Sequence, residues 1–291
     1  RFDAARKLAA SVVPPHSLAM WIDIDETFDA GWADELRQHP EAQVVRTTMQ
    51  YGNLSYFQVK GALAALHSEY WQNRVHEILN VPSAFTVYES EFKTTHDREI
   101  GKPYRNSYLP LLEADWKELK TERALFYYIR ELTYYTEDVK LILSLMDEFF
   151  YFGIGSDYCV FSYIHVAPYL ARRNIPKWHE LALDLSNMRS NSIEVAYEVA
   201  NAARLAGAHF LALHFATKAI SISDNCNLMF EYAESAIRQS QEIIVNSCVD
   251  LGITDKAVYY GHLFGVSIEH SLVESLKPSE TESAHSEISE G

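Results

Sequence analysis

"QVKGALAALHSEYWQNRVHEIL", residues 58–79, decides how the N-terminal third of the chain is read. Val59, Leu63, Leu66, Tyr70 and Val75 recur at helical spacing, and "NVPS" closes the stretch because the residue before a proline is pushed out of the helical region. The spacing predicts a helix over 58–79. The next stretch, "AFTVYESEFKTTHDREIGKPYRNSY" (84–108), has no such period and reads as one long irregular segment with a short strand at 85–88. Upstream, "WIDIDETFD" (21–29) alternates Ile22 and Ile24 with acids, which suggests an extended, half-exposed segment. Its acids, Asp23, Asp25, Glu26 and Asp29, lack the spacing of an Asp-Asp-x-x-Asp metal string on one helical face.

Helical periodicity dominates the rest. Helices are expected at 110–120, 122–152, 157–173 (interrupted by Pro168), 175–188, 192–206, 208–222, 227–252 and from 254 onward. Their punctuation supports these bounds: Ser156 and Asp157 after "GIG", Pro176 in a first turn, Gly207 between two helices, Gly252 as a C-cap and Thr254 as an N-cap. The pair at 192–222 sets Gly207, Ala212 and Ala219 where a tetratricopeptide repeat wants them. One repeat length further on stand Gln241, Asn246 and Ile253, so an ordinary helical hairpin is expected. The fold class that results is all-α: a single large multi-helix domain over 1–276 with one irregular segment near 84–108, followed by a disordered acidic tail over 277–291.

With 291 residues and a net charge of −15, the chain has enough apolar content for a sizeable core but no basic face to neutralise phosphates. Direct high-affinity nucleic-acid binding is therefore not expected. No run of about 18 uncharged apolar residues occurs, so no membrane association is expected either. Cys159, Cys226 and Cys248 are too scattered for a disulfide framework and read as reduced core thiols, which points to the cytoplasm. The first residue is Arg rather than Met, which suggests a missing upstream segment.

Residues 124–153, "ALFYYIRELTYYTEDVKLILSLMDEFFYFG", carry the strongest functional signal. Leu125, Ile129, Leu132, Val139, Leu143, Met146 and Phe150 form one stripe in steps of three and four. Tyr127, Tyr134, Leu141, Leu145 and Phe152 form a second line, and Tyr128, Tyr135, Ile142 and Phe149 a third. A helix apolar around most of its circumference must be covered on most of it, by its own chain or by another. Tyrosine joins an apolar body to a hydroxyl and suits a partly wet contact. Tyr127, Tyr128, Tyr134, Tyr135, Phe149 and Phe152 are accordingly the candidate interface residues of a homo-oligomer, while the aliphatic stripe suits the dry core.

Chemistry-bearing motifs are sparse. "THDREIGK" (95–102) resembles a stretched form of the His-Asp-Ile-Gly-Lys string of HD-type metal phosphohydrolases, which implies His96 and Asp97 as metal ligands with His67 or His76 upstream. Arg98 and Glu99 interrupt that string, and "KTT" replaces the apolar residues that precede it in the family, so a solvated loop is the reading kept. Carboxylate-bridged di-iron sites need two Glu-x-x-His pairs on inward-facing helices, whereas Glu282–His285 stands alone in the tail. Glu69 and His76 share a helical face in this reading, and His209 and His214 do not. No nucleophile elbow, phosphate loop or dinucleotide fingerprint occurs. No catalytic set is assigned, and no cofactor or metal is expected. The function expected is that of a non-enzymatic, self-associating helical subunit of the coat or shell type; the alternative is a helical metal-dependent enzyme of the HD kind.

Overall fold

The computed structural model describes residues 2–268 except 24, 52–53, 97–107, 154, 227 and 229–231. The all-α expectation is wrong: the N-terminal part is built on a curled, five-stranded mixed sheet, and the chain is α+β. In chain order this part holds α1 (Phe2–Ser11), β1 (Leu18–Met20), β2 (Glu26–Phe28), α2 (Trp32–Arg37), β3 (Val44–Tyr51), β4 (Leu54–Leu63), α3 (Ala64–Tyr70), β5 (Trp71–Gln72), β6 (Ile78–Leu79) and β7 (Val87–His96). The sheet order is β1-β4-β3-β7-β2, antiparallel except for the parallel β3–β7 pair.

The single helix expected over 58–79 is thus the end of a strand, a two-turn helix and the small β5–β6 hairpin. Asn73 and His76 in that hairpin have φ of 68° and 53°, left-handed conformations that end any helix. Within the irregular segment expected at 84–108, residues 87–96 form strand β7, longer than the short strand expected at 85–88, and residues 97–107 lie outside the described residues. "WIDIDETFD" is extended only in part: Glu26–Phe28 form β2, but just before it the Glu26 N–H bonds the Asp23 carbonyl in a turn. Adjacent side chains of a strand face opposite ways. Val44 therefore packs with Ala62, Leu66, Trp71 and Leu79 under α3 and the hairpin, while Val45 packs with Leu36 of α2 and Phe92 on the other face.

The second part is helical: α4 (Leu109–Leu119), α5 (Glu122–Tyr135), α6 (Val139–Asp147) with a 3-10 turn at Glu148–Tyr151, α7 (Asp157–Arg172), α8 (Lys177–Met188), α9 (Ile193–Leu205), α10 (His209–Ser221), α11 (Ala233–Asp250) and α12 (Thr254–Phe264). Several caps are those expected from sequence. The Ser156 hydroxyl accepts from the Cys159 N–H, and Gly207 and Gly252 take φ of 71° and 69° just past α9 and α11. Two expectations fail here. Pro168 sits inside a continuous α7, and Thr254 is the first residue of α12 while Ile253 stands at its N-cap. α9 and α10 make the expected hairpin. One extended apolar core, from Leu112 of α4 to Ile244 of α11, joins these helices. The acidic tail lies outside the described residues.

The expected 122–152 helix is two helices. Thr136 is extended (φ −114°, ψ 150°), and the Asp138 carboxylate caps α6 by accepting from the Leu141 N–H at 3.0 Å. The break resets the helical phase. Leu125, Ile129 and Leu132 are buried as expected, but Val139 and Leu143 are half-buried and Phe150 is exposed. Met146 is buried as expected, but Ile142, Leu145 and Phe149 take the buried side with it in place of Val139, Leu143 and Phe150.

Candidate functional site

The six candidate interface residues divide at this break. Tyr127, Tyr128 and Phe149 are buried in the helical core, so their role there is intrachain. Tyr127 lies under a cap of charged and aromatic groups: the His76 ring stacks on it at 4.2 Å, and the Arg123 and Arg130 guanidinium carbons each lie 4.7 Å from its centroid. Arg130 also reaches His76 Nε2 at 2.9 Å, and Arg123 donates to the His76 carbonyl at 3.2 Å and to the Tyr158 hydroxyl at 2.8 Å. Val75, beside His76, belongs to the helical core. The hairpin thus carries the sheet region onto α5, with the left-handed His76 as its tip.

Tyr134 and Tyr135 at the end of α5, and Phe152 after α6, remain open to solvent. Sequence reasoning missed their most exposed neighbours, Phe150 and Tyr151, which are 65 % and 84 % exposed. By spacing alone Phe150 belongs to the aliphatic stripe, and only the break at Thr136–Asp138 moves it outward. Phe149 and Trp116 hold Phe152 from inside at centroid distances of 6.5 and 6.2 Å, so this aromatic turn is anchored on the core while its tip is bare. Tyr134 packs edge-on against His165, whose pKa is pushed down to about 3 by burial and then by Arg130. His165 is therefore neutral at any physiological pH.

A second cluster lies where the two sheet edges curl toward each other. Lys60 of β4, fully buried, bridges to Glu26 of β2 at 2.5 Å. Glu26 also accepts from the Asp23 N–H at 2.9 Å, His96 of β7 meets Asp25 at 3.1 Å, and Thr47 and Thr94 share a hydrogen bond at 2.8 Å. Arg6 of α1 ties the same corner together through Asp23 at 2.5 Å and Glu77 at 2.7 Å. An open groove of about 440 Å³ lies beside the pair, lined by Met20, Trp21, Ile22, Glu26, Thr27, Phe28 and Trp32. Glu26 is the sole ionisable group lining it, and its carboxylate is already engaged by Lys60, so the arrangement braces the half-barrel. The sequence singles out Asp25 and Glu26 as acids but offers no means of pairing them with Lys60 and His96.

The histidines of the HD-like reading go to different places. His96 pairs with Asp25 at the end of β7, His67 on α3 accepts from the Trp71 indole N–H at 2.9 Å, and His76 caps Tyr127. Asp97 lies outside the described residues. Among the described residues no group of three or more His, Cys, Asp or Glu side chains is arranged to hold a metal ion. Cys159 and Cys248 are buried, and Cys226 is exposed, contrary to its reading as a core thiol. No helix among the described residues is long and apolar enough to cross a membrane. The coat- or shell-type role expected from composition finds no support in this fold. The chain matches no protein-family model, and no curated protein matches it.

Proposed function

We propose that the protein is a non-enzymatic subunit that works by associating with other protein chains, a second copy of itself among them. The observation that carries this reading is the run Phe150-Tyr151-Phe152, three consecutive aromatics displayed just after α6 on a turn anchored in the core, with the exposed Tyr134 and Tyr135 at the end of the preceding helix, α5. Large apolar rings on a well-anchored support lose little conformational freedom on docking, the property that makes aromatics dominate contact energies at interfaces. The charged side chains of the interior support the same reading from the other side. Lys60 is paired with Glu26, Arg6 with Asp23 and Glu77, Arg74 with Asp115, and Arg130 with Glu131.

The test is light scattering coupled to size-exclusion chromatography across a concentration series. Association raises the mass above the 33.3 kDa of one chain, and replacing Phe150 and Tyr151 together by Ser lowers it again without loss of the folded signal. A double variant that associates as strongly as the parent would remove the aromatic turn from the account.

A further inference from the structure

The two long flanks of the sheet are finished differently. On β7 the outer backbone groups of the Glu91–Lys93 stretch are taken: the Glu35 carboxylate accepts from the N–H groups of Glu91 and Phe92 at 2.8 and 3.2 Å, and the Asp29 carboxylate accepts from the Lys93 N–H while the Asp29 N–H donates to the Lys93 carbonyl, each at 3.0 Å. That strand also carries Glu89, Glu91 and Lys93, the kind of charges that keep an edge from pairing. Among the described residues no such guard lies along β4. β1 covers it only at Gly61–Leu63, and the Trp21 N–H reaches the Lys60 carbonyl.

The register shows which groups of β4 are left. Tyr51 and Leu54 face each other across a two-residue connection, so they form a hydrogen-bonded pair, and pairs alternate from there. The backbones of Tyr56 and Gln58 thus turn toward β3, while the N–H and C=O groups of Ser55 and Phe57 turn outward. Among the described residues no backbone group outside the sheet bonds either of them. Both side chains are exposed, Phe57 by 63 %, and no residue from 54 to 59 is charged.

We propose that this edge pairs with the same edge of a second copy, making one sheet that continues across a two-fold axis. A row of outward N–H and C=O groups selects an extended strand as its partner, and this segment is complementary to itself. Antiparallel pairing about Tyr56 sets Phe57 opposite Ser55 of the partner subunit, closing four N–H···O bonds. It also brings the two Phe57 rings onto one face as diagonal neighbours, about 7–8 Å apart at the backbone and within reach of aromatic side chains. In a chain of net charge −15, the uncharged run 54–59 lets two copies approach without like charges face to face. This surface is separate from the aromatic turn.

The test uses the Phe150→Ser, Tyr151→Ser background, in which contact through the aromatic turn is removed. That protein is expected to run at twice 33.3 kDa at high concentration, and adding Phe57→Lys is expected to return it to one chain. Ser55→Pro should do the same, because a proline is tolerated where a strand's N–H faces outward and removes the donor. On the unaltered protein, exchange of the Ser55 and Phe57 amide hydrogens is expected to slow as concentration rises. A background variant that is monomeric at every concentration, a Phe57→Lys variant that keeps its mass, or amide exchange that does not change with concentration would each overturn the proposal. Slow exchange at every dilution would show that the chain covers its own edge. If Phe150→Ser, Tyr151→Ser leaves the parent's mass untouched while Phe57→Lys lowers it, the aromatic turn fails and the strand edge stands.

Discussion

The sheet region and the helical region solve the same problem with different materials. The helices share one continuous apolar core that draws on α4 through α11, whereas the sheet has two small clusters, one on each face. Into the space between its curling edges the sheet places Lys60 against Glu26 and Thr47 against Thr94. Apolar burial is forgiving, because any well-shaped hydrophobic set serves. A buried ion pair is not, because each charge left alone is far costlier than the pair. The sheet's curvature is therefore specified by a few polar contacts and the helical body by many interchangeable ones.

The sharpest way to break this contrast is to remove one partner of the brace. Lys60→Met leaves Glu26 buried without its counter-charge and is expected to cost about 3–5 kcal/mol, measured by urea unfolding. Replacing both, as Lys60→Met with Glu26→Leu, is expected to recover most of that loss. A double variant as unstable as the single one would show that the pair's geometry, and not its charge balance, shapes the half-barrel.

On the helical side, Leu132→Ala in the buried stripe of α5 is expected to cost about 2–5 kcal/mol, and Leu143→Ala distinctly less because it is half-buried. Equal losses at the two sites would mean that the break at Thr136–Asp138 does not reset the helix phase in solution.

A pH effect separates the regions more gently. Burial pushes the Glu198 carboxyl of α9 up to about 7, against its hydrogen bonds from the Tyr232 hydroxyl and Asn201 and the charge of Arg172. A carboxyl whose folded pKa lies above its ordinary value of 4.5 favours the folded state while it is protonated in both states. That contribution is lost as pH rises from about 4.5 through 7, because the folded state binds the extra proton across that window. Unfolding free energy should decline over this range by a component that Glu198→Gln removes. A slope unchanged by the substitution would put the titration elsewhere.

The smallest stability effect belongs to the surface: Phe150→Ser with Tyr151→Ser should change unfolding free energy by no more than about 0.5 kcal/mol for each exposed position. A loss of several kcal/mol would mean that the turn is part of the core after all.

The same contrast explains what the amino-acid order revealed. Helices from α7 onward were legible to within a few residues at most ends, because each carries an apolar stripe and several carry a capping residue such as Ser156 or Gly252. The sheet was hidden because its alternation is not hydrophobic against polar. Along β4 the inner positions include Gln58 and Lys60, while Phe57 faces outward, so the period of two disappears into an accidental helical spacing of Val59, Leu63 and Leu66. The buried lysine becomes intelligible only once β2, more than thirty residues earlier, supplies Glu26. For the candidate surface, tyrosine abundance picked out a mixed set of buried and exposed residues. Tyr134, Tyr135 and Phe152 are exposed, and Tyr127, Tyr128 and Phe149 are not, because "TYYTED" contains a stop at Thr136 and a new cap at Asp138.

The mass of the unaltered protein in solution tests the central claim most directly. Light scattering across a concentration series should show a species heavier than 33.3 kDa that grows with concentration and is reduced in the Phe150→Ser, Tyr151→Ser variant. A mass of one chain at every concentration, unchanged in that variant, would contradict self-association.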